Sequence, residues 1–196
     1  MPVYRTTALR IAIDIDSTLH HYWHQFAAAA KRRFGVELPY ERQVTWDVVQ
    51  LRPEQLRTCV RETHRDENVL AAEPYPGAVD VVRRWHDAGH FILITSHRAV
   101  ECDGATRRWL DRIGLAHDLL HCSYAKVPHC VEHGVELLID DAPANLAAAL
   151  DAGIAAATIT HPWNEDFCES EGVPHADDWP GLEATLADLV AGPAQP

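Results

Sequence analysis

Two aspartates stand two residues apart at the end of an apolar run. Asp14 and Asp16 follow residues 9–13, which are rich in branched side chains. Residues two apart on an extended chain point to the same side, so the carboxylates would repel each other unless a cation lay between them. Mg²⁺ suits such a site because it prefers oxygen ligands and binds phosphates. Asp14 could then attack phosphorus, while Asp16 protonates the leaving oxygen and later activates water. The alternative is an Asp-rich turn or helix cap.

Three later positions carry polar residues that could also bind a phosphate or a metal ion. Thr95 and Ser96 close an apolar run, where their hydroxyls could hold a phosphate oxygen; the alternative is an ordinary loop start. Lys126 could neutralise a transferring phosphoryl group, although a single lysine is usually a solvated surface charge. Asp140 and Asp141 follow another apolar run and could anchor a metal or cap a helix. Four such features in this order, each at a strand end, favour an enzyme.

The elements that must position these residues alternate along the chain. Strands are predicted at residues 9–15, 91–95, 119–122, 135–139 and 154–159, and helices at 20–34, 52–64, 77–88, 103–113, 126–133, 142–152 and 181–190. Residues 44–49 could form a strand or a short helix, residues 165–171 are predicted as a solvated acidic loop, and residues 192–196 as a frayed tail. Alternating strands and helices predict an α/β fold, a Rossmann-like three-layer parallel sheet with helices on both faces.

The stretch from 20 to 72 interrupts this alternation just after the first strand. It is mostly helical and carries aromatic residues, so we interpret it as a small helical cap over the carboxyl end of the sheet. The predicted domains are therefore an α/β core formed by residues 1–19 and 73–196, and a cap formed by residues 20–72.

These motifs resemble those of the haloacid dehalogenase superfamily of phosphohydrolases, namely DxDxT, a later Thr or Ser, a Lys and a late acidic pair. The resemblance implies that Asp14 is the nucleophile and a Mg²⁺ ligand, and that Asp16 is the general acid/base and a metal ligand through its backbone carbonyl. It also implies that Thr95 binds the phosphoryl group, that Lys126 stabilises its charge, and that Asp140 completes the metal site with Asp141 nearby.

Within that superfamily the chain looks most like the cytosolic type C nucleotidases, the deoxyribonucleotidases and their bacterial relatives. The segments that carry this likeness are PGAVDVVRRW, ILITSHR, LIDDAPAN and HPWN. The implied activity is that of a Mg²⁺-dependent hydrolase of phosphomonoesters acting through an aspartyl-phosphate, with a nucleoside or deoxynucleoside monophosphate as substrate. One departure is Ser17, where many members have Gly; we expect altered loop geometry there without loss of activity.

The cap aromatics have two interpretations. Tyr22, Trp23, Phe26 and Trp46 could stack on a nucleotide base, with Tyr22 nearest to where relatives place such a ring. Their spacing equally suits a helix that packs its own core. Arg98 could reach a phosphate or form an exposed salt bridge.

The composition of the chain limits the kinds of molecule that it could bind. A formal charge of −12 disfavours a nucleic-acid polymer, and no apolar stretch long enough for a membrane span is present. Five scattered cysteines and no secretory leader fit a reducing cytoplasm. The expected partner is a small phosphorylated metabolite, and a homodimer stays open. The rival functions are a phosphatase for another metabolite, such as a sugar phosphate or phosphoglycolate, and a catalytically silent binding module of the same fold.

A concentration of histidines and cysteines raises the question of zinc. His121, Cys122, His129, Cys130 and His133 lie close in sequence, but their spacing matches no familiar finger or ribbon. With 13 histidines in the chain, chance clustering is easy, and the sequence by itself favours that interpretation.

Overall fold

A parallel six-stranded sheet forms the centre of the molecule. The computed structural model describes residues 8–190. The strand order is β3-β2-β1-β4-β5-β6, and every neighbouring pair is parallel. The strands are β1 Arg10–Ile13, β2 Phe91–Ser96, β3 Leu119–Cys122, β4 Leu137–Ile139, β5 Ala155–Ile159 and β6 His175–Ala176. Because β1 lies between β2 and β4, the segments that follow these three strands meet at one edge of the sheet.

Ten α-helices are found within residues 8–190. They are α1 Tyr22–Phe34, α2 Pro53–Thr63, α3 Asp66–Ala71, α4 Ala78–Asp87, α5 Asp103–Ile113, α6 Lys126–Glu132, α7 Pro143–Asp151, α8 Glu165–Glu171, α9 Trp179–Thr185 and α10 Ala187–Val190. Short 3₁₀ turns lie at Tyr40–Arg42 and Val100–Cys102. None of these helices is long and apolar enough to cross a lipid bilayer.

The helices cover both faces of the sheet. Ile11 and Ile13 of β1 point to one face, where they share a buried cluster with residues of α4, α5 and α9. Ala12, between them, points to the other face and packs in a cluster with residues of α6 and α7. Successive strand residues alternate between faces, so both faces are covered and the strands β1, β2 and β4 are mostly apolar. The predicted three-layer α/β fold is confirmed.

Most predicted elements are present, and the differences have identifiable causes. The first helix begins at Tyr22 because His20 is held in isolated bridges to Asp16 and Pro74. Residues 44–49 form neither a strand nor a helix. The last predicted helix divides into α9 and α10. Residues 192–196, predicted as a frayed tail, lie outside the described residues.

The prediction of a solvated loop at residues 165–171 is wrong. This segment is helix α8, which ends at Gly172 in the left-handed conformation. Cys168 is buried against Leu146 and Val173, so one apolar stripe holds an otherwise acidic helix to the core. Helix α3 and strand β6 were not predicted, because six and two residues carry too little periodicity to recognise.

The segment between β1 and α4 has a small core of its own. Trp23, Phe26, Leu38 and Cys59 are buried together within it. Trp163, which follows β5, joins the same cluster and so connects the predicted cap to the α/β core. The boundary at residues 20–72 stays a prediction.

Candidate active site

The ends of β1 and β4 bring a lysine between two aspartates. Lys126, the first residue of α6, lies with its Nζ 2.7 Å from Asp14 Oδ1 and 2.5 Å from Asp140 Oδ2. All three side chains are buried. The backbone N–H of Asp14 donates to the carbonyl of Ile139 at 2.9 Å, which continues the pairing of β1 with β4 past the strand end. Sheet pairing therefore fixes how closely the two carboxylates approach.

The acidic loop after β4 is held rigidly. Asp140 accepts hydrogen bonds from the backbone N–H of Ala142 and from Asn145 Nδ2. The carbonyl of Asp141 accepts from Trp163 Nε1 at 3.2 Å and Asn164 Nδ2 at 3.1 Å. The side chain of Asp141 is different, since its Oδ2 is buried with no hydrogen-bond partner among residues 8–190.

If all three carboxyls of this cluster are ionised, one lysine does not balance their negative charge. Oxygens of Asp14, Asp140 and Asp141 all lie within 4.8 Å of one another, and Lys126 is the cation between two of them. Burial raises the pKa of Asp14 to about 7, and the nearby Asp140 and Asp16 add to this against the opposing effect of Lys126. Burial and the charges of Asp14 and Asp140 also hold the pKa of Asp141 well above its ordinary value.

These residues fit a divalent cation. Three close carboxylates beside one ammonium group leave excess negative charge, and the unpartnered Asp141 oxygen offers a further ligand atom. An all-oxygen donor set of this kind suits Mg²⁺. Metal ligation by the backbone carbonyl of Asp16 stays a prediction, and the Asp16 carboxylate is bound by Arg98.

Asp16 is held by a buried arginine. Arg98 Nη2 donates to Asp16 Oδ1 at 2.7 Å, and Arg98 Nε donates to Oδ2 at 3.2 Å. His20 Nε2 lies 2.9 Å from Oδ1, and His64 Nε2 lies 3.3 Å from Oδ2. Burial alone would raise the pKa of Asp16, but Arg98 and the two histidines outweigh it and hold that pKa well below the ordinary value.

Arg98 does not form the exposed salt bridge that was one of its two interpretations. The Arg98 side chain is almost fully buried, and its guanidinium group donates two hydrogen bonds to the carboxylate of Asp16. Sequence reasoning did not pair these residues because 82 positions separate them.

The turn between Asp16 and Thr18 is anchored by a histidine. Ser17 has φ 63°, the only positive φ at a non-glycine residue among those described. His161 Nε2 donates to the carbonyl of Ser17 at 2.6 Å, and Tyr40 donates its hydroxyl proton to His161 Nδ1 at 2.7 Å. Burial lowers the pKa of His161 to about 4, so the ring is neutral and can serve both partners. Ser17 thus adopts the left-handed conformation that a glycine would take at this position, and the expected change in loop geometry stays a prediction.

A cavity of about 250 Å³ opens onto the carboxylates. Its lining includes Asp14, Asp16, Lys126 and Asp141. Sequence reasoning missed four further lining residues, because a single His, Tyr or Asn gives no motif: His64, His97, Tyr124 and Asn145.

The predicted phosphate-binding hydroxyls lie deeper than this cavity. Thr95 and Ser96 are fully buried, and neither lines it. Thr95 Oγ1 has no hydrogen-bond partner in the described part of the chain, while Ser96 Oγ accepts from the backbone N–H of Arg98 at 3.3 Å.

A second, more apolar cavity of about 280 Å³ adjoins the first. Ser17, Tyr22, Trp46 and Val60 line both. Trp23 lines the second cavity, together with Phe26, Leu56 and Trp163. Tyr22 donates to or accepts from Thr63 Oγ1 at 2.8 Å, and Trp23 Nε1 donates to the carbonyl of Leu38 at 3.1 Å. The cap aromatics therefore both pack the cap and line a cavity.

Sequence comparison places the chain in a known group. Residues 8–191 match the family model described as 5′ nucleotidase, deoxy (pyrimidine), cytosolic type C protein. No curated protein matches the chain significantly.

Solved structures share the fold at low sequence identity. A HAD family hydrolase of Deinococcus radiodurans, with bound phosphate and sodium, has a TM-score of 0.69 at 16% identity, covering 96% of this chain and 100% of that one. A HAD hydrolase of Entamoeba histolytica, family IA, variant 3, has a TM-score of 0.65 at 13% identity, with coverage of 94% and 100%. A predicted phosphoglycolate phosphatase of Haemophilus somnus has a TM-score of 0.63 at 16% identity, with coverage of 92% and 97%.

Proposed function

The chain belongs to the cytosolic type C 5′-nucleotidase family, a group of phosphomonoester hydrolases with the haloacid dehalogenase fold, and from this membership we propose its specific reaction. It is a Mg²⁺-dependent 5′-nucleotidase that hydrolyses nucleoside or deoxynucleoside monophosphates through an aspartyl-phosphate on Asp14. The observation that carries the proposal is the position of Lys126 Nζ between Asp14 and Asp140 at the floor of an open cavity.

The first step is attack by Asp14 on phosphorus. One carboxylate oxygen forms the new P–O bond while the ester P–O bond breaks, and Lys126 offsets negative charge on the phosphoryl oxygens. Burial raises the pKa of Asp14 to about 7, and the carboxyl must be ionised to attack, so a cation beside it would favour the reactive form. Asp14, Asp140 and Asp141 would hold Mg²⁺, which supplies Lewis-acid polarisation of the phosphoryl group.

Asp16 is the proposed proton carrier. It gives a proton to the departing nucleoside oxygen, and later takes a proton from the water that cleaves the aspartyl-phosphate, releasing inorganic phosphate. Because Arg98 stabilises the Asp16 anion, the ionised form suits the water-activating step directly. Proton donation requires Asp16 to move out of the Arg98 fork when substrate enters.

The paired cavities support a nucleotide as substrate. The first is lined by charged groups and the second by the aromatic and apolar groups of the cap, with Tyr22 and Trp46 at their junction. A phosphate at the carboxylates would leave a base next to these rings, where stacking favours every base. Thr95 and Ser96 act in this proposal through the loop they begin, since neither hydroxyl reaches the cavity.

The test is phosphate release in the presence of Mg²⁺ from 5′- and 3′-nucleotides, sugar phosphates and phosphoglycolate. Asp14→Asn is the catalytic control, and Asp151→Asn, an exposed aspartate at the end of α7, is the matched control. We expect nucleotide-selective release, abolished in Asp14→Asn and retained in Asp151→Asn.

Each other outcome selects a different function. Activity on sugar phosphates or phosphoglycolate alone, sensitive to Asp14→Asn, would retain the chemistry and reject the nucleotide. No release from any substrate, together with no phosphorylated intermediate in acid-quenched samples, would favour the binding module. A cytoplasmic location and a homodimer remain predictions.

A further inference from the structure

Three histidines and a glutamate come together at the outer edge of the sheet, away from both cavities. His121 lies on the edge strand β3, and His129 and Glu132 lie on α6. His133 is the residue at which α6 ends. None of the four lines the cavity of the candidate active site.

The side chains of α6 are arranged as ligands of one ion would be. One donor atom from each of His129, Glu132 and His133 lies within 4.8 Å of the others. The backbone N–H of His133 donates to the carbonyl of His129 at 3.0 Å, so these two residues are one helical turn apart and project from the same side. Zinc-ligand bonds of about 2.0–2.2 Å place two tetrahedral ligand atoms roughly 3.4 Å apart, a distance that small side-chain rotations would reach.

A further imidazole stands beside this group. The ring of His121 stacks on that of His129 with centroids 3.3 Å apart, and the ring of His133 lies 4.2 Å from His129. His129 Nε2 is shielded from solvent and has no hydrogen-bond partner among residues 8–190. Three imidazoles this close would repel one another if protonated, whereas a cation could be shared by His129 and His133.

The cysteines of the same segment take no part. Cys122 packs in the cluster on one face of the sheet and Cys130 in the cluster on the other face, both buried. In the sequence these two buried cysteines stand among the three histidines, so the spacing of all five residues matches no zinc motif. Burial separates the two kinds of residue and leaves a nitrogen-rich set with one carboxylate.

We propose that His129, Glu132 and His133 form a three-ligand binding site for a divalent transition-metal ion such as Zn²⁺, with His121 packed against the His129 ring. Imidazole ligands favour zinc, copper and nickel over magnesium, which prefers an all-oxygen site. The net charge of −12 draws cations towards the protein. A bound ion would fasten the end of α6 to the edge strand, and α6 begins with Lys126 of the active site.

The experiment is a calorimetric titration of the full-length, metal-stripped protein with Zn²⁺ in saturating Mg²⁺, which competes for the proposed carboxylate site. The site variant is His129→Gln/His133→Gln. The matched control is His24→Gln/His86→Gln, which removes an exposed imidazole from α1 and a half-buried one from α4 instead. Cu²⁺ titrated into the same proteins gives a spectroscopic measure of nitrogen ligation.

We expect one Zn²⁺ per chain in the unaltered protein and in the matched control. The site variant should bind at least about a hundredfold more weakly, since loss of even an outer partner of a metal ligand costs about 10–100-fold. Paramagnetic resonance of bound Cu²⁺ should show nitrogen couplings that disappear in the site variant. Equal affinity of all three proteins, equal weakening of both variants, or no binding by the unaltered protein would overturn the proposal.

Discussion

Replacing Asp14 by Asn should make the metal-free protein more stable while abolishing catalysis. The carboxyl of Asp14 is buried, and its pKa is raised from an ordinary 3.8 to about 7. The folded state therefore binds this proton more tightly than the unfolded state does. Stability contributed by the protonated form is present at low pH, declines as pH rises above 3.8, and is fully lost once pH passes the folded value near 7.

The magnitude follows from the size of that shift. Each pH unit between the two pKa values costs about 1.4 kcal/mol, because the unfolded chain releases this proton while the folded protein keeps it. Relative to pH values below 3.8, the raised pKa of Asp14 therefore lowers stability by about 2 kcal/mol at pH 5 and about 4 kcal/mol at pH 7. An asparagine carries no charge, and its amide oxygen can still accept from Lys126. The variant should accordingly gain up to about 4 kcal/mol at pH 7, or about 8–16 °C in Tm for a chain of this length.

Denaturant unfolding in EDTA, at pH 5 and pH 7, measures this difference, with Asp151→Asn as the matched loss of one charge. Added Mg²⁺ should narrow the gap, because the ion stabilises the unaltered protein by mass action and loses a ligand in the variant. A gain of the same size at both pH values, or a variant less stable than the unaltered protein at pH 7, would refute the reasoning.

Three other changes test separate contacts. Arg98→Met leaves the half-buried Asp16 carboxylate without its bidentate partner and should cost up to about 3 kcal/mol in denaturant unfolding, the lower end of the range for a fully buried pair. The double variant with Asp16→Asn should recover part of that loss. Ser17→Gly should stabilise the protein by about 1 kcal/mol, because glycine adopts φ 63° without the steric cost that serine bears. Thermal unfolding, with Ser123→Gly as control, would measure this gain in stability. Trp46→Ala should raise KM for nucleotides roughly 5–150-fold, the loss of one stacking contact, and leave KM for a small phosphate ester little changed; equal effects on both substrates would remove Trp46 from the base site.

The apolar runs were sufficient to predict a parallel sheet and five of its six strands. Branched residues in short runs, separated by amphipathic helices, leave few arrangements besides a parallel sheet covered on both faces. The carboxyl ends of neighbouring parallel strands meet at one edge, so Asp14, Lys126 and Asp140 could be grouped before any distance was known. Short elements such as α8 escaped because a mostly acidic segment hides the single apolar stripe that buries Cys168.

The electrostatic state of the site was decided by tertiary structure. Asp14 and Asp16 look alike in sequence, yet the pKa of one is raised and that of the other is lowered. The cause is a partner 82 positions away, since Arg98 reaches Asp16 and not Asp14. The same holds at the sheet edge, where burial removed Cys122 and Cys130 from a cluster of histidines. Residue types and local spacing determine which groups are available, whereas burial and long-range contacts determine the charge that each carries and the partners that it meets.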